Sequence, residues 1–292
     1  MGYGSYSAGD WAKLKTSRQI SSTKQVEEVF ERRECDPKFN PRFIGTRECF
    51  DSDDHPHSTP IVVGLDVTAS MGYLAVKVAS EALNDLIMKL YSTNAVEDPA
   101  LMCAAYGDYR DGAPLQVTQF ESDIRIAEQL LDLYFEDGGN CQVVIPCLWE
   151  FLARHTNIDA INKRGEKGFI FTIGDEAEIR QDSVPETVRR VIGDDVRNAT
   201  AHSLLAEAEK KFHIFHIMIG NDGNKDFLPG HKIVINKDSV DLIPEIILGT
   251  IQLQKGMPFD QVVSQWDSIN GTILSNALGQ LQITGDGQAV TL

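Results

Sequence analysis

Cysteine, basic charge and long apolar runs are all scarce in this sequence. Its five cysteines (Cys35, Cys49, Cys103, Cys141, Cys147) are odd in number and form no CxxC pair. No disulfide framework or zinc pattern follows, and a reducing, cytoplasmic setting is the expected home. No run approaches the roughly eighteen apolar residues of a membrane-spanning helix. The start, Met1-Gly2-Tyr3-Gly4-Ser5-Tyr6, lacks a charged and then apolar leader, so no signal peptide is expected. Position 6 is Tyr where myristoylation prefers Ser or Thr. Only 27 Lys and Arg stand against 43 Asp and Glu, a net charge of −16. That balance argues against nucleic acid as main partner, because phosphate binding needs clustered basic side chains. Neither a GxxxxGKS/T nor a GxGxxG phosphate loop occurs.

What is present is ordinary globular material: 292 residues, 42% hydrophobic and 24% charged. Residues 1–58 read as an extension, punctuated by Pro37, Pro41 and Pro56, with one short helix near 26–33. They end in Asp51-Ser-Asp-Asp-His-Pro-His57, whose acids and imidazoles are plausible transition-metal ligands but fit a solvated linker better. Order changes at Pro60. Ile61-Val-Val-Gly-Leu65 reads as a strand buried on both faces. Ala75, Ala79, Leu83, Leu86 and Leu90 then recur at helical spacing. Further strands are expected at 100–106, 115–120 (antiparallel to its predecessor), 169–173, 212–219 and 232–235. Helices are expected at 124–135, up to Arg154, 185–192, 199–210 and 242–253. This alternation predicts a doubly wound α/β domain over 59–254, with a mostly parallel sheet, one antiparallel edge strand and helices on both faces. Residues 255–292 add one amphipathic helix over 258–278 and a small hairpin around Gly285-Asp286-Gly287.

In such a sheet, function gathers at the carboxyl ends of the strands. Here the first buried strand runs into Asp66-Val-Thr-Ala-Ser-Met-Gly72, and alternation aims Asp66, Thr68 and Ser70 at one point. A carboxylate and two hydroxyls are hard oxygen donors suited to Mg²⁺ or Mn²⁺. The alternative is a polar turn in which Thr68 or Ser70 caps the next helix. The strand Phe169-Ile-Phe-Thr-Ile-Gly174 also ends in an acid, Asp175, which supplies a second carboxylate or merely starts the next helix.

The apolar strand, DxTxSMG, the Gly138-Gly139 turn, the strand ending Gly174-Asp175 and the Tyr109-Arg110-Asp111 loop together resemble a von Willebrand factor type A domain of the intracellular branch. The resemblance covers roughly 60–254 and implies a metal-ion-dependent adhesion site (MIDAS). Asp66, Thr68 and Ser70 match its first motif, and Asp175 matches the acid of its third. The middle motif departs from the family: Asn140-Cys-Gln-Val-Val144 carries no Thr, Ser or acid after the Gly-Gly turn. Asn140, or Asp108 on the neighbouring loop, would have to replace that ligand. The resemblance implies a non-enzymatic adaptor whose cation accepts a partner protein's carboxylate, and an AAA-type ATPase as one partner class. A competing likeness is to haloacid-dehalogenase phosphohydrolases, with Asp66 as nucleophile and Asp175 on Mg²⁺. There Thr68 stands where a second acid is usual. A structural protein with a vestigial metal site is the third reading.

Overall fold

In chain order the strands are β1 (Arg47–Cys49), β2 (Thr59–Asp66), β3 (Pro99–Tyr106), β4 (Leu115–Val117), β5 (Thr156–Ile158), β6 (Gly168–Gly174), β7 (Phe212–Ile219) and β8 (Lys232–Ile235). They are seen in a computed structural model that describes residues 4–136, 142–175, 183–220, 227–285 and 288–289. Six of them form one sheet in the order β4-β3-β2-β6-β7-β8. Every neighbouring pair is parallel except β4, which lies antiparallel on β3. The chain enters at β2, moves outward through β3 and β4, then returns across β2 to continue through β6, β7 and β8. This reversal puts the topological switch point between β2 and β6, the place where open α/β sheets build their crevices.

Period-two alternation sorts the strand side chains onto two faces. Ile61, Val63, Leu65, Phe171, Phe215 and Ile217 pack with Leu86, Ile87, Leu90, Ile247 and Leu274 in one core. Val62, Met102, Tyr106, Ile170 and Ile214 pack with Leu148, Phe151, Val188 and Leu204 in the other. Both faces are therefore covered by helices, as a parallel sheet requires. Each such side chain contributes roughly 1.5–3 kcal/mol through burial. The expected doubly wound α/β architecture is what the chain adopts.

Several expectations need correction. The strand expected over 115–120 stops at Val117, and the helix expected over 124–135 spans only Arg125–Leu131. The long helix after β2 contains a π-turn at Val78–Ala82 between Gly72–Lys77 and Leu83–Thr93. The single helix expected over 258–278 is two, Phe259–Val263 and Ser268–Leu278. Asp267 divides them by capping the second, its Oδ1 accepting from the backbone N–H of Ile269 and Asn270 at 3.0 Å each. The tail does pair, Thr284–Gly285 antiparallel to Gln288–Ala289.

The acid–imidazole run is a solvated linker only in part: Asp53, Asp54 and His57 are exposed, but Asp51 and His55 turn inward. Asp51 accepts from Arg164 Nη1 at 2.7 Å and from the Ser58 N–H at 3.1 Å. His55 is 2% exposed, with Nε2 3.1 Å from the Gly4 carbonyl oxygen. The stretch before it also packs inward, although only one short helix is expected there. A helix spans Ala8–Ser17, and Trp11, Leu14, Phe30 and Phe39 join the first core. β1 pairs in parallel with β5 as a separate two-stranded ladder.

Candidate metal centre

β2 ends on Asp66, in register with Tyr106 at the end of β3. The Val67 N–H still donates to the Tyr106 carbonyl at 2.9 Å, so the ladder extends one residue past Asp66. Thr68 is extended, and a 3₁₀ turn, Ala69–Met71, then leads into the helix starting at Gly72. Neither the 3₁₀ turn nor that helix has a side-chain cap, so Thr68 and Ser70 are not capping them. Thr68 turns back instead. Its N–H donates to Asp66 Oδ1 at 2.8 Å, and its hydroxyl to the same oxygen at 2.7 Å.

Thr68 Oγ1 lies 3.5 Å from Ser70 Oγ, and the Ser70 hydroxyl donates to Asp175 Oδ1 at 3.0 Å. Asp175 follows directly on β6. The four oxygen side chains thus form one continuous run from β2 to β6 across the switch point. It climbs from buried Asp66 and Thr68, each 1% exposed, to half-buried Asp175 and exposed Ser70.

Gly174 permits this closeness. A Cβ there would lie 2.9 Å from Asp66 Cβ, from Asp66 Oδ2 and from Tyr106 Oη. Tyr106 is fully buried, and its hydroxyl donates to the Ile173 carbonyl at 2.9 Å. Burial, and then the carboxylates of Asp66 and Asp175, hold that phenol well above its usual pKa. Burial and Asp175 likewise raise Tyr73, which is 41% exposed at the start of the next helix. The crevice therefore carries a negative field felt by both neighbouring phenols.

No protein-family model and no curated protein matches the chain. Among solved structures, it is similar to the pilus adhesin SpaC from Lactobacillus rhamnosus GG in an open conformation. That match has 8% identity and a TM-score of 0.45, and covers 72% of this chain and 31% of the adhesin. It is also similar to a von Willebrand factor type A protein from Catenulispora acidiphila, with 12% identity, a TM-score of 0.41, and 68% and 43% of the two chains covered. A third likeness is to proximal thread matrix protein 1 from the mussel byssus with a zinc-occupied MIDAS motif, with 13% identity, a TM-score of 0.43, and 66% and 47% covered. Von Willebrand factor type A proteins are among its structural neighbours. The chain spans about a third of the adhesin's length and under half of the other two. Its own strand order and two-sided burial carry the fold assignment.

The donor set fits a hard divalent cation: two carboxylates each accept from one hydroxyl, and the two hydroxyl oxygens lie 3.5 Å apart. Among the described residues no group of three or more His, Cys, Asp or Glu side chains stands ready for a metal, so a site built from these four residues uses the hydroxyls as well as the carboxylates. Asp108 is tied elsewhere. It is fully buried, with Oδ1 accepting from the Arg110 N–H at 2.9 Å and Oδ2 from the Gln142 N–H at 3.0 Å. It fastens the loop after β3 to the segment before the helix Ile145–Arg154. Asn140 and the Gly138-Gly139 turn lie outside the described residues. The sequence reading missed Tyr106 and Tyr73. Tyr73 stands one residue past DxTxSMG and could have been noticed. Tyr106 enters only through the β2–β3 register, which no local spacing reveals.

Proposed function

We propose that the chain is a non-enzymatic protein-binding module of the von Willebrand factor type A kind, which holds Mg²⁺ or Mn²⁺ on Asp66, Thr68, Ser70 and Asp175. The observation that supports this is the unbroken run of four oxygen side chains across the switch point. When bound, the cation would neutralise the two carboxylates and offer a coordination position to an oxygen from outside the chain. A carboxylate of a partner protein is the group we assign to that position. Thr68 and Asp66 stay in place through their two mutual hydrogen bonds, while exposed Ser70 and half-buried Asp175 form the open side. We place the protein in the cytoplasm, since Cys49, Cys103 and Cys147 are buried free thiols with pKa values raised by burial.

Calorimetry with Mg²⁺ and Mn²⁺ tests the reading. The wild type is expected to bind, and Asp66→Ala to lose binding while its far-UV circular dichroism stays native. Metal at about 100 times its Kd adds about 2.7 kcal/mol of stability. In a domain of this size that is a rise in Tm of roughly 5–10 °C, absent in Asp66→Ala. A wild type without heat or Tm shift at millimolar metal rules the reading out. Phosphatase turnover on small phosphoesters, lost in Asp66→Asn, would replace it with the phosphohydrolase.

A further inference from the structure

Beside the crevice, this acidic chain presents a surface of opposite sign. The loop between β3 and β4 carries Tyr109-Arg110-Asp111, and the neighbouring acids turn toward the backbone. Asp108 accepts from the Arg110 and Gln142 N–H groups, and Asp111 Oδ2 from the Asp108 N–H at 2.9 Å. Glu136 clasps the Gly112 and Ala113 N–H groups at 2.9 and 3.0 Å. Arg110 is left on the exposed side with the ring of Tyr109. Its Nε donates to Tyr109 Oη at 3.0 Å, and its guanidinium carbon lies 5.2 Å from the ring centroid.

Two more arginines join it. The Arg190 guanidinium carbon lies 6.0 Å from the Tyr109 centroid, and Arg190 Nη2 donates to the Arg110 carbonyl at 3.3 Å. Arg42 Nη1 donates to the Arg189 carbonyl at 3.0 Å and also to that of Arg190. Arg42, Arg110, Arg189 and Arg190 are all exposed, and Phe43 beside them is 70% exposed. Elsewhere Arg18, Arg125, Arg154 and Arg164 each pair with a carboxylate. Among the described residues, Arg42, Arg189 and Arg190 have no ion pair, and Glu186, one turn back from Arg190, makes none with it. Carbonyl oxygens thus orient the Arg42 and Arg190 forks without neutralising them, and these bonds use only part of a guanidinium's five donors. The carbonyls at the end of the helix Val184–Val191 explain the position of Arg42, but not the gathering of Arg110 onto the same ring.

We propose that this arginine patch docks a short Asp- and Glu-rich segment of a partner protein. Charge complementarity selects the sign, and the charge of the whole chain selects the length. Beyond about one Debye length, roughly 8 Å at physiological salt, a ligand meets the acidic remainder of the surface. A long polyanion such as RNA would run off the patch into that repulsion, whereas a peptide of a few acids would not. Phe43 adds an apolar contact that such a peptide can use.

Fluorescence anisotropy with a labelled Glu-Asp-Glu-Asp tetrapeptide, in EDTA and at about 0.15 M salt, tests the patch apart from any metal. The wild type is expected to bind saturably. Arg110→Gln combined with Arg190→Gln should weaken binding about tenfold, while the corresponding Lys pair retains most of it. Asp66→Ala should leave this binding unchanged, so failure of the metal reading and failure of this one are told apart. Equal affinity in wild type and the Gln pair, absence of binding, or tighter binding of an RNA decamer than of the peptide would each overturn the proposal.

Discussion

Substituting Gly174 by Ala tests the core of the site without touching a proposed ligand. The new Cβ would sit 2.9 Å from three heavy atoms, where ordinary contact begins near 3.4 Å. None of the three gives way easily. Tyr106 Oη is held by the Ile173 carbonyl, and Asp66 by two hydrogen bonds from Thr68. The clash is with packed side chains and not with backbone torsion, since Gly174 has no positive φ. Overpacking of this kind costs about 1–3 kcal/mol. At about 2–4 °C per kcal/mol for a large domain, Tm should fall by roughly 2–12 °C. Displacement of Asp66 should also weaken Mg²⁺ binding by about tenfold, the equivalent of about 1.4 kcal/mol. Thermal melts and calorimetry read both effects. Gly45→Ala, where nothing lies within 4 Å, is the control and should stay within about 0.5 kcal/mol of wild type. Adding Tyr106→Phe removes one of the three contacts, so the double variant should recover about 0.5 kcal/mol or more relative to additivity. If Gly174→Ala melts and binds metal as the wild type does, the close approach of β6 to Asp66 is not what builds the site.

Two further predictions concern the scaffold. Asp267→Ala removes the cap from Ser268–Leu278 and should cost about 1 kcal/mol, seen as a Tm roughly 2–4 °C lower. Glu150 is fully buried, and burial raises its carboxyl above the usual 4.5 despite the Arg154 pair. The folded state therefore holds this proton more tightly than the unfolded chain, and stability falls as pH rises from about 4.5 through the folded pKa. Glu150→Gln should be more stable than wild type at neutral pH, with the advantage gone in acid denaturant melts below that window. An advantage of constant size across pH would refute the burial argument.

The central sheet was readable because its strands are buried on both faces. Mostly apolar runs such as Phe212–Ile219, interrupted only by His213 and His216, and Lys232–Ile235 leave little room for another assignment, and both are expected with these bounds. Elements anchored by one or two side chains were not readable. Ala8–Ser17 buries only Trp11 and Leu14, and β1 and β5 are three residues each with Glu48 and Asn157 facing water. Asp51 and His55 looked solvated because their partners, Arg164 and Gly4, lie far away in sequence. The break at Asp267 was visible in principle, since an acid before Ser268-Ile-Asn is a cap signal.

The candidate site divides along the same physical line. Asp66, Thr68 and Ser70 were legible because a strand-to-helix turn packs its chemistry into five consecutive residues. Asp175 was legible only as the acid ending another buried strand, and the Ser70–Asp175 bond of 3.0 Å required the strand order that brings β6 beside β2. Asp108 shows the limit from the other side. Its residue type and loop suited a replacement ligand, yet its two oxygens hold backbone N–H groups of Arg110 and Gln142. That inward turn also leaves Arg110 on the outer side of its loop, so one buried carboxylate helps to build the arginine surface beside an acidic crevice. Asp108→Ala should accordingly loosen the loop and weaken capture of the acidic peptide before it affects Mg²⁺. If metal affinity falls first, Asp108 belongs to the cation.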